Sequence, residues 1–312
     1  MKLQFTKTQA LGNDFILIDD RKGRSKKIGS LSKSLCDRKF GIGADQLLLL
    51  NNSRTADFKM RIFNADSSEV EMCGNGIRCL AKYIWDKKIR GQGSGIRDQE
   101  LSIETLAGII HLQKAGELIK VDMGEPILEP KKIPVNISSN PPLPPFTKGG
   151  RGGINSSLVT DPALSLSKGR SSLVKNFPIK IDGKIFKITC VSMGNPHAVI
   201  VEKNVQTIPL NQYGPAIENH KFFPKRTNVE FIQIQNRSNI KMRVWERGAG
   251  ETMACGTGAS ASAVASALLG LTDRKVKVHL PGGKLSVEWS AKDNHVYMTG
   301  PAVKVFEGEI EI

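Results

Sequence analysis

Met60–Asn64 reads MRIFN and Cys73–Gly76 reads CGNG; farther along, Met242–Glu246 reads MRVWE and Cys255–Gly258 reads CGTG. Both pairs are separated by the same 182 residues (60 to 242 and 73 to 255). Gly12-Asn13 and Gly194-Asn195 fall on that offset, as do Glu69 and Glu251, and Gln46 meets Asn228, amide against amide. VDMGEP at Val121–Pro126 echoes VYMTGP at Val296–Pro301 at a slightly smaller separation. Several matches in one register indicate an internal duplication. Two similar domains related by a pseudo-twofold are the expected result.

Each half has the same order of elements. Short apolar runs predict strands at Leu3–Lys7, Phe15–Asp19, Leu47–Asn51 and Lys59–Phe63. A loop follows, then Cys-Gly-x-Gly, then a helix. Ile77–Lys87 sets Ile77, Leu80, Ala81 and Ile84 on one face, and Ala259–Leu269 is rich in Ala and Ser, which suits a central helix approached closely by strands. Strands resume at Leu101–Glu104, His111–Gln113, Val276–His279 and Lys284–Trp289. The expected class is mixed α/β (α+β), each domain a mixed or antiparallel sheet or barrel wrapped around its helix. Ser138–Lys175 interrupts the pattern: NPPLPPFTKGGRGG and SLSKGRSS are rich in Pro, Gly, Ser and Lys, and read as a disordered insertion between the halves. Gly91–Gly95 reads as a shorter loop of the same kind.

The 312 residues contain 39% apolar and 24% charged side chains, an ordinary balance for a globular chain of two domains. No stretch approaches the ~18 apolar residues of a membrane span, and the first residues lack the apolar core of a secretion signal. A cytoplasmic protein is expected, with no membrane partner. The net charge of +15 raises nucleic acid as a partner, and Arg21–Lys39 alone holds eight Lys or Arg. No basic strand studded with aromatics and no recognition-helix pattern accompanies it, so a solvated lysine-rich surface is the better reading. Five cysteines, odd in number and without a CxxC pair, fit neither a disulfide framework nor a structural zinc site. With five His and no HxH or HExxH spacing, no metal is expected.

A cysteine at a helix N-terminus sits among unpaired backbone N–H groups and the positive end of the helix dipole, which favour the thiolate. The glycines that follow let the backbone approach a ligand, so the same N–H groups can hold a carboxylate. One such turn is a weak signal. Two, placed equivalently by a duplication, can set a sulfur on each side of the α-carbon of a bound amino acid. One thiolate then removes the α-proton, the opposite thiol delivers another, and the N–H groups stabilise the enolate-like intermediate.

ALGNDF (Ala10–Phe15), GIGADQLL (Gly41–Leu48), FNADSSEVEMCGNGIRC (Phe63–Cys79), MGNPHAV (Met193–Val199), TNVEFI (Thr227–Ile232), WERGAGETMACGTGA (Trp245–Ala259), LPGG (Leu280–Gly283) and YMTGPA (Tyr297–Ala302) together resemble the diaminopimelate epimerase family. The resemblance implies interconversion of L,L- and meso-diaminopimelate for lysine and peptidoglycan precursor synthesis, without pyridoxal phosphate or metal, by a homodimer. It implies Cys73 and Cys255 as the catalytic pair. Gly74-Asn75 and Gly256-Thr257 would hold the carboxylate at the reacting centre, and Asn13, Gln46, Asn64, Asn195, Asn228, Glu246 and Arg247 would bind the substrate. His197 and Glu246 match positions that tune the thiols. It also implies a last strand that returns to the first domain, dividing the chain into 1–124 plus 301–312 and 125–300.

The nearest alternative is a proline or hydroxyproline racemase, which shares the cysteine pair but is expected to carry His where Asn75 stands. A catalytically silent binding module on the same scaffold is a second alternative. Phenazine-type isomerases share the architecture without both thiols. Cys36, Cys79 and Cys190 read as packing residues.

Overall fold

The computed structural model describes residues 2–23, 28–89, 99–136 and 173–311. The insertion expected at 138–175 falls almost wholly on 137–172, and the Gly91–Gly95 loop on 90–98, outside the described residues.

The first half runs β1 (Lys2–Ala10), β2 (Asn13–Asp19), α1 (Ser32–Cys36), β3 (Gln46–Asn51), β4 (Phe58–Asn64), β5 (Glu69–Val70), α2 (Gly74–Asp86), β6 (Glu100–Thr105), β7 (Gly108–Ala115) and β8 (Leu118–Asp122). The second runs β9 (Phe177–Ile181), β10 (Lys184–Ser192), β11 (Pro196–Val201), α3 (Leu210–Glu218), β12 (Asn228–Asn236), β13 (Asn239–Glu246), β14 (Gly250–Thr252), α4 (Gly256–Leu268), β15 (Lys275–Leu280), β16 (Gly283–Trp289), β17 (Val296–Gly300) and β18 (Val303–Glu311). Strand pairing repeats between them. β1–β2 antiparallel, β2–β3 parallel and β3–β4 antiparallel match β10–β11, β11–β12 and β12–β13 in direction. The parallel pairs β4–β6 and β13–β15 match as well. β18 returns to lie antiparallel to β1, as β9 lies against β10.

The two halves join where β8 and β17 pair antiparallel, with Asp122 opposite Tyr297. These residues are 175 apart (122 to 297), the offset of the VDMGEP and VYMTGP repeat, so each faces its own counterpart and the pseudo-twofold passes between them.

Alternation along the strands builds the layers. In β2 and β3, Phe15, Leu17, Leu48 and Leu50 face a cluster that holds α2 and α4, while Ile16, Ile18, Leu47 and Leu49 face a second layer under α1. A parallel pair buried on both faces reads as a continuous apolar run. The corresponding outer layer of the second half carries Phe186, Phe222 and Phe231. The central cluster draws Phe15 and Ile77 from one half and Val199 and Ala259 from the other, so the halves share a core. α4 is buried over nearly its whole length, and its small Ala and Ser side chains let the surrounding strands close in. The buried hydroxyls of Ser260 and Ser266 donate to Gly256 O and Ala263 O, 3.0 Å away in each case, which satisfies them inside the helix.

Candidate active site

Both helices that matter start at their cysteine. Cys73 and Cys255 are extended at φ −138° and −122°, and each caps its helix by accepting an N–H through sulfur: Gly76 N to Cys73 Sγ and Gly258 N to Cys255 Sγ, both 3.4 Å. The helices open at Gly74 and Gly256, so the expected turn-to-helix junction is present in both halves. These glycines abut. A Cβ built on Gly74 would stand 3.7 Å from Gly256 Cα, and one on Gly256 only 3.5 Å from Gly74 Cα. Two helix N-termini, and the positive ends of two helix dipoles, therefore converge on one small volume suited to a carboxylate.

Around Cys73, Asn13 at the start of β2 brings Oδ1 to 3.8 Å from the sulfur. Asn75 donates to the same oxygen at 3.3 Å and, across the pseudo-twofold, to Ala254 O at 3.0 Å. The second half repeats the theme: Asn195 donates to Thr257 Oγ1 at 3.3 Å, and Thr257 Oγ1 lies 3.5 Å from Cys255 Sγ. Gln46 and Asn64, opposite one another on β3 and β4, are joined by a 2.8 Å hydrogen bond from Gln46 Nε2 to Asn64 Oδ1. Gln46 Oε1 is buried and accepts from nothing among the described residues. Asn228 is tied to the backbone, donating to Pro196 O at 3.0 Å and accepting from Arg247 N at 2.9 Å. Arg247 itself is exposed, and its guanidinium donates to Lys225 O at 3.3 Å.

Glu246, at the end of β13, accepts from the Thr252 hydroxyl and stands near the Cys255 thiol. Burial pushes its carboxyl above the ordinary value, and Glu230 adds to that, against the Thr252 hydrogen bond, the Cys255 thiol and His197. Burial also raises both thiols, Cys255 well above its ordinary value with Glu246 and Glu230 adding to the effect. At Cys73 the Gly76 N–H and the Arg78 charge oppose burial, while Glu246 reinforces it. His197 is fully buried on β11, with Nδ1 2.7 Å from Glu230 Oε1 and Nε2 2.9 Å from Asn195 Oδ1.

Of the residues expected from the sequence, Asn13 and Asn75 meet at Cys73 and Asn195 and Thr257 at Cys255, while Gln46 with Asn64, and Asn228 with Arg247, bond among themselves and to the backbone. Glu230 and Arg78 were not among them. Glu230 is fully buried beneath α4: a Cβ on Gly258 would come within 2.7 Å of its Oε1. The signal for it lay in the repeat itself. His197 and Glu230 occupy the places that Phe15 and Leu48 hold 182 residues earlier (15 to 197 and 48 to 230), where the pair is apolar and packs on Gly76. A charged pair in place of an apolar one, inside a register that otherwise repeats, marks a difference between the two thiols. Cys36, Cys79 and Cys190 are buried, and burial pushes Cys36 up to about 11 and Cys79 up to about 12. Among the described residues no group of three or more His, Cys, Asp or Glu side chains is arranged to hold a metal ion. None of their helices is long and apolar enough to cross a membrane.

The sequence model of a family described as diaminopimelate epimerase matches residues 5–129 and 189–305. A diaminopimelate epimerase of Acetivibrio thermocellus is 47% identical, with 99% of each chain covered. One from Methanococcus maripaludis is also 47% identical, covering 99% of this chain and all of the relative. Among solved structures, a phenazine biosynthesis protein of the PhzF family from Bacillus anthracis superposes with a TM-score of 0.63 at 16% identity over the whole of both chains. A probable proline racemase from Agrobacterium radiobacter reaches 0.64 at 13% identity, over 99% of this chain and 93% of that one. At these identities the structures are like this chain in fold alone.

Proposed function

The chain belongs to the diaminopimelate epimerase family, and we propose that it interconverts L,L- and meso-diaminopimelate by moving one α-proton between Cys73 and Cys255. The observation that supports the reading is the meeting of Gly74 and Gly256, which brings two cysteine-capped helix N-termini together.

The chemistry balances with two thiols. A substrate carboxylate lies between the helix starts, held by the N–H groups of Gly74, Asn75, Gly256 and Thr257. One sulfur, as thiolate, takes the α-proton; the electron pair left behind delocalises onto the carboxylate oxygens, where the same N–H groups oppose the growing charge. The other sulfur, as thiol, gives its proton to the opposite face. In the reverse direction the two exchange roles. Burial at both cysteines strengthens these interactions by keeping water from the developing carbanion.

The second amino-acid end of the substrate explains the amides. Gln46 Oε1, buried and unpartnered among the described residues, offers an acceptor to an ammonium group. Asn13, Asn64, Asn195, Asn228 and Glu246 supply further donors and acceptors, and Arg247 offers a guanidinium to the distal carboxylate. A site that must hydrogen-bond both ends discriminates against simpler amino acids, because its polar groups would otherwise stay unpaired. His197, held by Glu230, and Glu246, near Cys255, tune the thiols. The reading extends to a cytoplasmic homodimer serving lysine and peptidoglycan precursor synthesis.

Incubation with L,L-diaminopimelate and, in parallel, with L-proline, followed by chiral separation, tests the assignment. Formation of the meso isomer and no D-proline is the expected result. D-proline without meso-diaminopimelate would move the substrate to an imino acid while leaving the two-thiol chemistry intact.

A further inference from the structure

Arg78 is fully buried on α2, five residues after Cys73. Its guanidinium donates to Gly74 O and Asn75 Oδ1, both at 2.9 Å, and to Pro301 O at 3.2 Å, and lies 3.6 Å from Met298 Sδ. All four are neutral. Burial draws Arg78 down to about 10, which still leaves it a cation at neutral pH. An enclosed cation without a fixed anion is costly to hold. Asn75, gripped by this guanidinium, reaches the same Asn13 oxygen that the Cys73 thiol approaches.

The corresponding position in the second half is Ser260, a neutral residue that bonds Gly256 O (78 to 260 is again 182). Acidic side chains gather there instead. Glu246 from β13 stands near the Cys255 thiol, and Glu230 from β12 lies under the first turn of α4, paired with His197 from β11. Glu246 also acts on Cys73, so the two sites differ in Arg78, which stands beside Cys73, and in Glu230, which stands beside Cys255.

We infer that Arg78 is a positioning residue that fixes the order of ionisation, so that Cys73 gives up its proton before Cys255 does. The inference rests on the two-thiol reading above. A positive charge beneath α2 acts with the Gly76 N–H on the Cys73 sulfur, whereas the carboxylates near α4 act against the Gly258 N–H at Cys255. Once a single thiol of the substrate-free protein has ionised, Cys73 is therefore the base and Cys255 the acid. Use in the other direction first requires the Cys255 proton to pass to Cys73.

Site-resolved alkylation of the substrate-free full chain with iodoacetamide, between pH 6 and pH 10, reads this order directly. The pH midpoint is the quantity to compare, because Cys255 is the more buried thiol and its limiting rate is lower for that reason alone. The midpoint of Cys73 is expected below that of Cys255. In Arg78→Met it rises, so that alkylation of Cys73 at pH 8 slows about tenfold for each unit of rise, and Arg78→Lys restores most of the loss. Glu230→Gln lowers the midpoint of Cys255 and carries the test if Arg78→Met does not fold. A midpoint for Cys255 at or below that of Cys73 overturns the inference, as does an unmoved Cys73 in folded Arg78→Met. An unmoved Cys255 in Glu230→Gln does the same. Alkylation needs no substrate, so this order can fail while diaminopimelate is still epimerised, and the reverse.

Discussion

Gly74 and Gly256, 182 residues apart in sequence (74 to 256), meet where α2 and α4 begin, each close enough that a Cβ on one would lie in van der Waals contact with the backbone of the other. The contact lies at the pseudo-twofold, and Met298 crowds it from the side. A methyl at Gly256 would also meet Met298 Sδ at 3.0 Å, and one at Gly74 would meet Met298 Cε at 3.1 Å. Met298 is buried, so it has little room to yield. Gly256→Ala is expected to lower stability by about 1–3 kcal/mol through overpacking and to cut kcat/KM by a larger factor than that loss of folded protein explains. Thermal unfolding alongside steady-state kinetics separates the two effects.

Glu230 and His197 form a pair with both side chains fully enclosed. Glu230→Ala leaves the imidazole without its partner, and breaking a buried pair from one side costs about 3–5 kcal/mol. Glu230→Gln keeps an acceptor and is expected to cost clearly less. Urea unfolding of both variants checks the order, and equal losses would show that an uncharged acceptor at this position does nothing to hold His197.

Burial raises both thiols, Cys255 the further of the two. Catalysis needs one thiolate and one thiol, so kcat/KM is expected to rise with pH through neutrality as the first thiol ionises. It then falls again when the second does, with the optimum on the alkaline side. A profile measured from pH 6 to 10 that declines from its acid end would contradict this.

Asp14 governs an acid limb of stability. Burial would raise its carboxyl, but hydrogen bonds from Arg38 and Lys7 outweigh that and hold it well below the usual carboxylate range. A folded value below the unfolded one, about 3.9, means the unfolded chain takes up the proton first as pH falls. The stabilisation is thus fully present above about pH 5 and is lost on going lower. Asp14→Asn is expected to be less stable than the parent at pH 7 and to lose less stability between pH 5 and pH 3. Urea midpoints across that range give the comparison.

One ion pair is duplicated with the rest of the chain. Arg61–Glu69 and Arg243–Glu251 occupy equivalent places on β4–β5 and β13–β14, each with two bonds between 2.7 and 3.0 Å. Arg243 also donates to Val205 O and Ile208 O at 3.0 and 2.9 Å. Its removal is expected to cost about 1–3 kcal/mol, against less than about 1 kcal/mol for Arg61→Ala, whose pair is more exposed. Equal melting temperatures for the two variants would contradict the ranking.

The duplication was legible because Met-Arg, Glu and Cys-Gly kept their spacing in both halves, and the helix starts followed from the capping chemistry of Cys73 and Cys255. What stayed hidden depended on distant partners. Arg78 sits in a helix whose charged residues would ordinarily face water, and one of the carbonyls that holds it comes from Pro301, 223 residues away (78 to 301). Glu230 lies within the buried run Val229–Ile232, where a single acid reads as an exception in a strand. The pairing of β8 with β17 joins the halves through no local signal at all. α3 was masked by Gly214 and Pro215 inside it: the glycine is there because Trp245 leaves no room for a Cβ, with the nearest ring atoms at 2.6 Å.

The central claim, two opposed thiols exchanging one proton across a carbon, is tested most directly by epimerisation of L,L-diaminopimelate in D₂O. Early in the reaction the account predicts meso product carrying deuterium at the inverted carbon, while recovered substrate still carries protium. The deuterated product is lost in Cys73→Ala and in Cys255→Ala. Deuterium appearing in recovered substrate as fast as in product, or turnover surviving the loss of either sulfur, would contradict it.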